Sequence, residues 1–258
     1  MGAYGFLFSQ LVRRELRQKY QGSTLGVLWY IVNPLVLMGA YTLMFGYVFK
    51  VQSKPDYPVF VMVGIAVWTF FQQSVLAAAE SLINQGALVR KAAFPRETIP
   101  AASVAVQLVT LVVIVVALTI VAIVVKTGIH PALVMLPVLI VLLACFVLGF
   151  TLVIAPLHAY FRDTAPVLTA LLLPWFFLTP TFFEPDSIHY VQQHPVLRTL
   201  LDWVNPVAPF IESLRSVIYG GHFPSAGRLI YAVLVGLGTL AVGVLAFRGM
   251  SGELAVVV

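Results

Sequence analysis

The side chains in this sequence that could do chemistry are few and scattered. Five histidines, His130, His158, His189, His194 and His222, stand near the ends of apolar runs. His189 and His194 are close enough to share a ligand, but a metal centre needs three or four donors and no third lies nearby. They read as polar residues at an interface. The single cysteine, Cys145, sits inside an apolar run, so it forms no intrachain disulfide and reads as a small buried apolar residue. There is no G-x-x-x-x-G-K-[ST] loop to cradle nucleotide phosphates, and no H-E-x-x-H, C-x-x-C or G-x-S-x-G. Bond chemistry and metal or cofactor binding are therefore not expected of this chain.

What must position these side chains is a membrane. Of 258 residues, 60% are hydrophobic and 10% charged, against about 25% charged in an ordinary soluble domain. The net charge of +5 and pI near 9.4 do not point to nucleic acid, because the basic residues form short clusters between apolar runs. Six such runs, at about 25–49, 58–79, 99–125, 132–157, 165–183 and 229–247, are each long enough to cross the hydrocarbon, which takes about 20 helical residues. The expectation is an all-α integral membrane protein of one domain (1–258) with six transmembrane helices. The first run is longer than a signal-peptide core and no small-x-small site follows it, so it is expected to stay as an anchor. An inside N-terminus would place nine of the fifteen lysines and arginines on the cytoplasmic side, with the C-terminus inside too. The middles of the runs hold almost no charge, Asn33 and Gln107 being the main polar candidates. Ion-coupled transporters and intramembrane hydrolases need ionisable groups there, so both classes are disfavoured.

Four connecting pieces complete the plan. Residues 5–20 form a short basic helix with Phe8, Leu11, Val12 and Leu16 on one face and Arg13, Arg14 and Arg17 mostly opposite, suited to the membrane surface. The same arginines would also serve as a positive flank that fixes topology. A cytoplasmic segment over 80–97 ends at Phe94-Pro95-Arg96, and Tyr160-Phe161-Arg162-Asp163 is a second, very short cytoplasmic link. The outer stretch 184–227 contains an interrupted apolar patch at 203–219. There Phe210, Ile211, Leu214, Val217 and Ile218 repeat at helical spacing opposite Glu212 and Arg215, predicting short gate or re-entrant helices at the outer interface. Aromatic residues stud the first, second and fifth runs. Trp29, Tyr30, Tyr41, Trp68, Phe70 and Phe71 read either as lipid-facing bulk with interfacial belts or as an aromatic wall along which sugar rings could slide. Gly22 and Gly26 make a small-xxx-small pair at the start of the first run.

The run Leu11-Val12-Arg13-Arg14-Glu15-Leu16-Arg17-Gln18-Lys19-Tyr20, followed by Gly22-Ser23-Thr24-Leu25-Gly26-Val27-Leu28-Trp29 and Asn33-Pro34, resembles the N-terminus of type-2 ABC transporter permeases that export polysaccharides. Further blocks agree: Gly64, Trp68, Ser81-Leu82 to Asn84, and Leu88-Val89-Arg90-Lys91 with Phe94-Pro95-Arg96. After them come Tyr160-Phe161-Arg162-Asp163, Thr179-Pro180, and Asn205-Pro206 with Glu212 and Arg215. They stand in family order over nearly the whole chain.

The resemblance implies a homodimeric permease of the bacterial inner membrane. Its ATP and Mg would be used by two copies of a separate ATPase subunit, and its cargo would be a polyprenyl-diphosphate-linked glycan of O-antigen, teichoic acid, capsule or galactan type. Arg90, Lys91, Phe94, Pro95, Arg96 and Glu97, with Arg162 and Asp163, would then meet the ATPase. Pro95 would set a stiff bend, and Asp163 would cap the fifth span. Topology control and capping alone would account for the same pairs. Arg13, Arg14 and Arg17 would flank the lateral access of the lipid carrier and meet its diphosphate. A type-2 exporter of a drug or simple lipid is the alternative; it would share the helices. An intramembrane enzyme acting on lipid-linked sugars would need an acidic or histidine cluster, and the sequence has none.

Overall fold

The computed structural model describes residues 3–20, 28–48, 56–90, 95–252 and 254; Gly22, Gly26, Lys91 and Phe94 lie outside these. In chain order the helices are α1 (Ala3–Tyr20), α2 (Trp29–Tyr41, widening into π-helical turns over Thr42–Val48), α3 (Tyr57–Asn84) and the short α4 (Gly86–Val89). Then come α5 (Thr98–Ala122, widening over Ile123–Thr127), α6 (Met135–Tyr160, entered through a 3-10 turn at Pro131–Val134) and α7 (Thr164–Leu178). The short α8 (His189–Gln193) and α9 (Pro195–Thr199) lead to α10 (Ala208–Ile218) and α11 (Ala226–Met250). No strand occurs among the described residues.

Among the described residues four helices, α3, α5, α6 and α11, are long and apolar enough to cross a membrane, and two shorter apolar helices fall in the first and fifth runs. The fifth run was expected to continue to about residue 183, but α7 stops at Leu178. Thr179 turns extended (φ −91°, ψ 134°), as a residue before proline must when the proline ring would clash with a helical backbone. Residues 179–183 instead fold back into the bundle and are buried. Pro156 and Pro174 sit inside α6 and α7 without ending them, as packed membrane helices allow.

The bundle centre is aromatic. Phe71 lies 5.2 Å from Trp175, 5.6 Å from Trp68 and 5.8 Å from Phe146, and Phe146 stacks on Phe210 at 5.4 Å. Rings from α3, α6, α7 and α10 thus meet in one cluster, each such pair adding about 0.5–1.5 kcal/mol beyond the area it buries.

The α6–α11 pair is held differently. Gly236 lies against the Leu142 carbonyl, and Gly243 against the backbone of Gly149. Partners seven residues apart on both helices mean that the two run parallel. A Cβ on Gly243 would overlap the Gly149 backbone, which cannot swing away as a side chain could. Gly243→Val is therefore expected to cost at least about 1–3 kcal/mol and to lower the yield of monodisperse protein on size-exclusion chromatography. Gly238→Ala on the same helix, where nothing lies within 4 Å, should leave both unchanged.

Candidate functional site

The described residues gather their polar chemistry at the two ends of the bundle. At the end where α3 and α6 begin, α10 is a buried wedge against α3, α6 and α11, not a helix lying on the surface. Arg215, expected on its polar side with Glu212, is only 3% exposed. It is satisfied by three backbone carbonyls and one carboxylate: Nε donates to the Phe60 carbonyl (3.2 Å), Nη1 to the Pro180 carbonyl (2.6 Å) and to Glu212 Oε1 (2.8 Å), and Nη2 to the Thr181 carbonyl. The guanidinium also lies 3.6 Å from the centre of the Phe60 ring, a cation–π contact. Gly64 makes the approach possible, since a Cβ there would overlap the Thr181 carbonyl and crowd Arg215. Burial pushes the Arg215 pKa down, and Glu212 beside it pushes it back up. Tyr57 donates its O–H to the Phe182 carbonyl at 2.5 Å, holding the next residue of the same strap.

Asn205 splices this wedge to α7. Its Nδ2 donates to Thr179 Oγ1 (2.8 Å), and its Oδ1 accepts from Trp175 Nε1 and the Val207 N–H, both at 3.2 Å. Above Arg215 a polar hollow of about 340 Å³ is bordered by Glu184, Asp202, Glu212, His222 and Arg228. Burial holds the Asp202 carboxyl above its usual range, and the like charges of Asp186 and Glu212 add to this against Arg228 and Arg198.

At the opposite end, two segments converge on the last turn of α11. Arg96 Nε donates to the Val89 carbonyl (3.1 Å), and its Nη1 donates to the Ser251 carbonyl. Tyr160 donates its O–H to the Met250 carbonyl at 2.7 Å. Leu82, Val89, Ile99, Leu152, Ala159, Phe247 and Leu254 form the buried cluster beneath. Arg90, Glu97, Arg162 and Asp163 are exposed on this end; Pro95 and Arg96 are half-buried. Asp163 precedes α7 as expected but makes no side-chain capping bond. Buried His158 does so instead, its Nδ1 accepting the Ala165 N–H at 3.3 Å.

Glu15, a lone acid in a basic helix, helps tie α1 to this end. It accepts from Gln85 Nε2 (3.0 Å) and Ser103 Oγ (3.2 Å), and burial raises its pKa against these bonds and the nearby charge of Arg14. Since the folded value lies above the unfolded one, docking of α1 is firmest below the ordinary carboxylate range. It weakens as pH rises through the raised value. Glu15→Gln keeps the acceptor but cannot ionise. Hydrogen exchange in α1, corrected for intrinsic rates, is expected to speed up with pH in the parent and to stay level in the variant.

Arg13, Arg14 and Arg17 are exposed on α1. Of the aromatic residues, Trp29 is 45% exposed, whereas Trp68, Phe70 and Phe71 are buried inside the chain; the side chain of Tyr30 lies outside the described residues. Tyr41 and Trp68 line a cavity of about 170 Å³ between α2, α3 and α7, together with Leu37, Thr69 and Gln72. Gln107 is buried and Asn33 exposed. Sequence reasoning missed Thr69 and Gln72, although the polar triplet Gln72-Gln73-Ser74 inside an apolar run was the signal.

Among the described residues no three histidine, cysteine or acidic side chains converge as metal ligands. His189 bonds Gln193 (2.9 Å), and His194 bonds the Tyr190 carbonyl (2.8 Å) and stacks on its ring.

Residues 7–219 match the family model described as ABC-2 type transporter. The chain is 31% identical over 229 residues to the O-antigen export system permease protein RfbA of Myxococcus xanthus, covering 88% of this chain and 85% of that one. It is 30% identical over 227 residues to an O-antigen export system permease protein RfbA of Klebsiella pneumoniae (84% and 83%). It is 28% identical over 253 residues to the polysialic acid transport protein KpsM of Escherichia coli (92% and 91%). An apolar helical bundle with polar hubs at its two ends, matched by this family over most of its length, belongs to the ABC-2 type transporters: the chain is a transport permease, and the ATPase of such systems is a separate subunit.

Proposed function

We propose that this permease exports a lipid-diphosphate-linked polysaccharide, of O-antigen, teichoic acid or galactan type, from the cytoplasmic to the outer side of the bacterial inner membrane. The observation that carries the reading is the likeness to polysaccharide export permeases over more than four-fifths of this chain and of theirs. In this reading α2 with its continuation and α7 complete six crossings, the termini are cytoplasmic, and the polar hub around Arg215 is an outer gate. Two copies form the pore, and two ATPase subunits press on the cytoplasmic end, where Arg90, Glu97, Arg162 and Asp163 are exposed and Arg96 and Tyr160 carry the push to α11. The exposed rim of Trp29 with Tyr41, Thr69 and Gln72 supplies the glycan wall, since Phe70 and Phe71 are committed to the interior. Arg13, Arg14 and Arg17 meet the diphosphate. The test is depletion: cells losing the protein should accumulate lipid-linked glycan on the cytoplasmic face, identified by mass spectrometry. Glycan appearing outside at the normal rate would refute export.

A further inference from the structure

A trough of about 200 Å³ lies between α5, α6 and α11, at the end of the bundle where Arg96 meets Ser251. Each helix lines it with residues one turn apart, which therefore share a face. They are Glu97 and Ala101 on α5, Leu148 and Leu152 on α6, and Leu240, Val244 and Arg248 on α11. Glu97 stands at the start of α5 and Arg248 in the last turn of α11, so both charges are at the mouth. Leu240 lies just over two turns before Arg248, about 12 Å deeper at ~1.5 Å per residue. The trough is thus charged at its mouth and apolar beyond it, and all three of its helices are long and apolar enough to cross a membrane.

Glu97 and Arg248 are both exposed and line the same trough, yet neither forms an ion pair with the other or with any described residue. Each charge suits the helix end on which it stands, but that does not require an acid and a base to share one mouth unpaired. Such a mouth above an apolar trough is the complement of a molecule with a cation and an anion at the head of an apolar tail. From this we infer that the trough holds a phosphatidylethanolamine, with its ammonium on Glu97, its phosphate on Arg248 and an acyl chain along Leu152, Val244 and Leu240. The ethanolamine ammonium has N–H groups to donate to the carboxylate, which makes a charge-assisted bond; the quaternary ammonium of choline has none. Phosphatidylglycerol would bring Glu97 no cation at all. Neither the cargo nor the direction of transport enters this inference. In the export reading the headgroup sits beside the ATPase contact, and Glu97 serves the lipid.

The test uses the full-length permease with its ATPase partner in phosphatidylcholine vesicles. Phosphatidylethanolamine, phosphatidylglycerol and phosphatidylcholine, each with the same diazirine acyl chain, are added singly, and their adducts are mapped by mass spectrometry. Adducts of the ethanolamine lipid are expected on residues 148–152 and 240–244, about threefold above those of the other two, which is the scale of an exposed ion pair. Glu97→Gln, at an exposed position, should bring them down to the choline level, and Arg248→Gln should lower them by a similar factor. Equal labelling by the three lipids or no loss in either variant would overturn the proposal. So would the absence of adducts from these stretches in the complex, the result if the ATPase covers the trough. The two readings fail separately: an unlabelled trough leaves export standing, and a depletion that traps no glycan leaves the lipid site standing.

Discussion

Replacing Arg215 with methionine is expected to unfold the α10 end of the bundle, at a cost of about 3–5 kcal/mol. The opposing effect is real: exchanging a buried charge for an apolar side chain of similar size can stabilise a protein when its partners are replaced with it. Here most of the partners cannot be replaced. The carbonyls of Phe60, Pro180 and Thr181 all accept from this guanidinium, and an acceptor left buried without a donor costs about 1–3 kcal/mol. Glu212, 13% exposed beside the polar hollow, can be hydrated and adds less. Arg215→Lys keeps the charge but not the planar fork that reaches several acceptors, so it should fall between parent and methionine variant. Glu212→Gln should be mildest. Thermal unfolding in nanodiscs ranks the series; a methionine variant as stable as the parent would show that the hub does not hold this end together.

Alanine at Arg90, Lys91 and Arg96 together is expected to leave the partner ATPase turning over while glycan export falls at least about tenfold, a loss of ~1.4 kcal/mol in coupling. The structure divides the effect. Arg96 bonds Val89 and Ser251, so its loss also loosens the end of α11. Arg90→Ala alone, at an exposed position, should lower export with an effect on stability of no more than about 1 kcal/mol. Tyr160→Phe removes one hydrogen bond to Met250, worth about 0.5–1.5 kcal/mol. It should lower export at unchanged ATPase activity if the push travels through α11. Export and ATP hydrolysis measured in the same proteoliposomes separate these outcomes, and equal export by the triple variant and the parent would remove the coupling assignment.

How much of this could be read beforehand depended on where the information lies. The helices α3, α5, α6 and α11 follow from unbroken apolar length, which lipid enforces residue by residue. The early end of α7 was legible in principle, since Pro180 is in the sequence, but apolar Phe182 and Phe183 beyond it made the run look longer. The burial of Arg215 was not legible. Helical spacing put it beside Glu212 on a polar side, and its acceptors are backbone carbonyls whose positions depend on three distant segments. The aromatic residues were recognisable as a set, yet periodicity does not say whether Phe71 faces a lumen or the Phe146 ring. Capping was misplaced for a similar reason: His158 reaches the start of α7 from the preceding helix, a contact local spacing does not encode. Arg90, Glu97, Arg162 and Asp163 were read as contacts for the ATPase; the fold shows only that they are exposed.

The Arg215 hub also orders events during synthesis. Every acceptor of its guanidinium comes from residues upstream, at 60, 180, 181 and 212, and domains build up from the N-terminal side as the chain emerges. The ribosome has therefore already delivered the partners when this arginine leaves the tunnel. A nascent chain whose earlier helices are misassembled would bring in α10 with an unmatched cation, which costs several kcal/mol to bury.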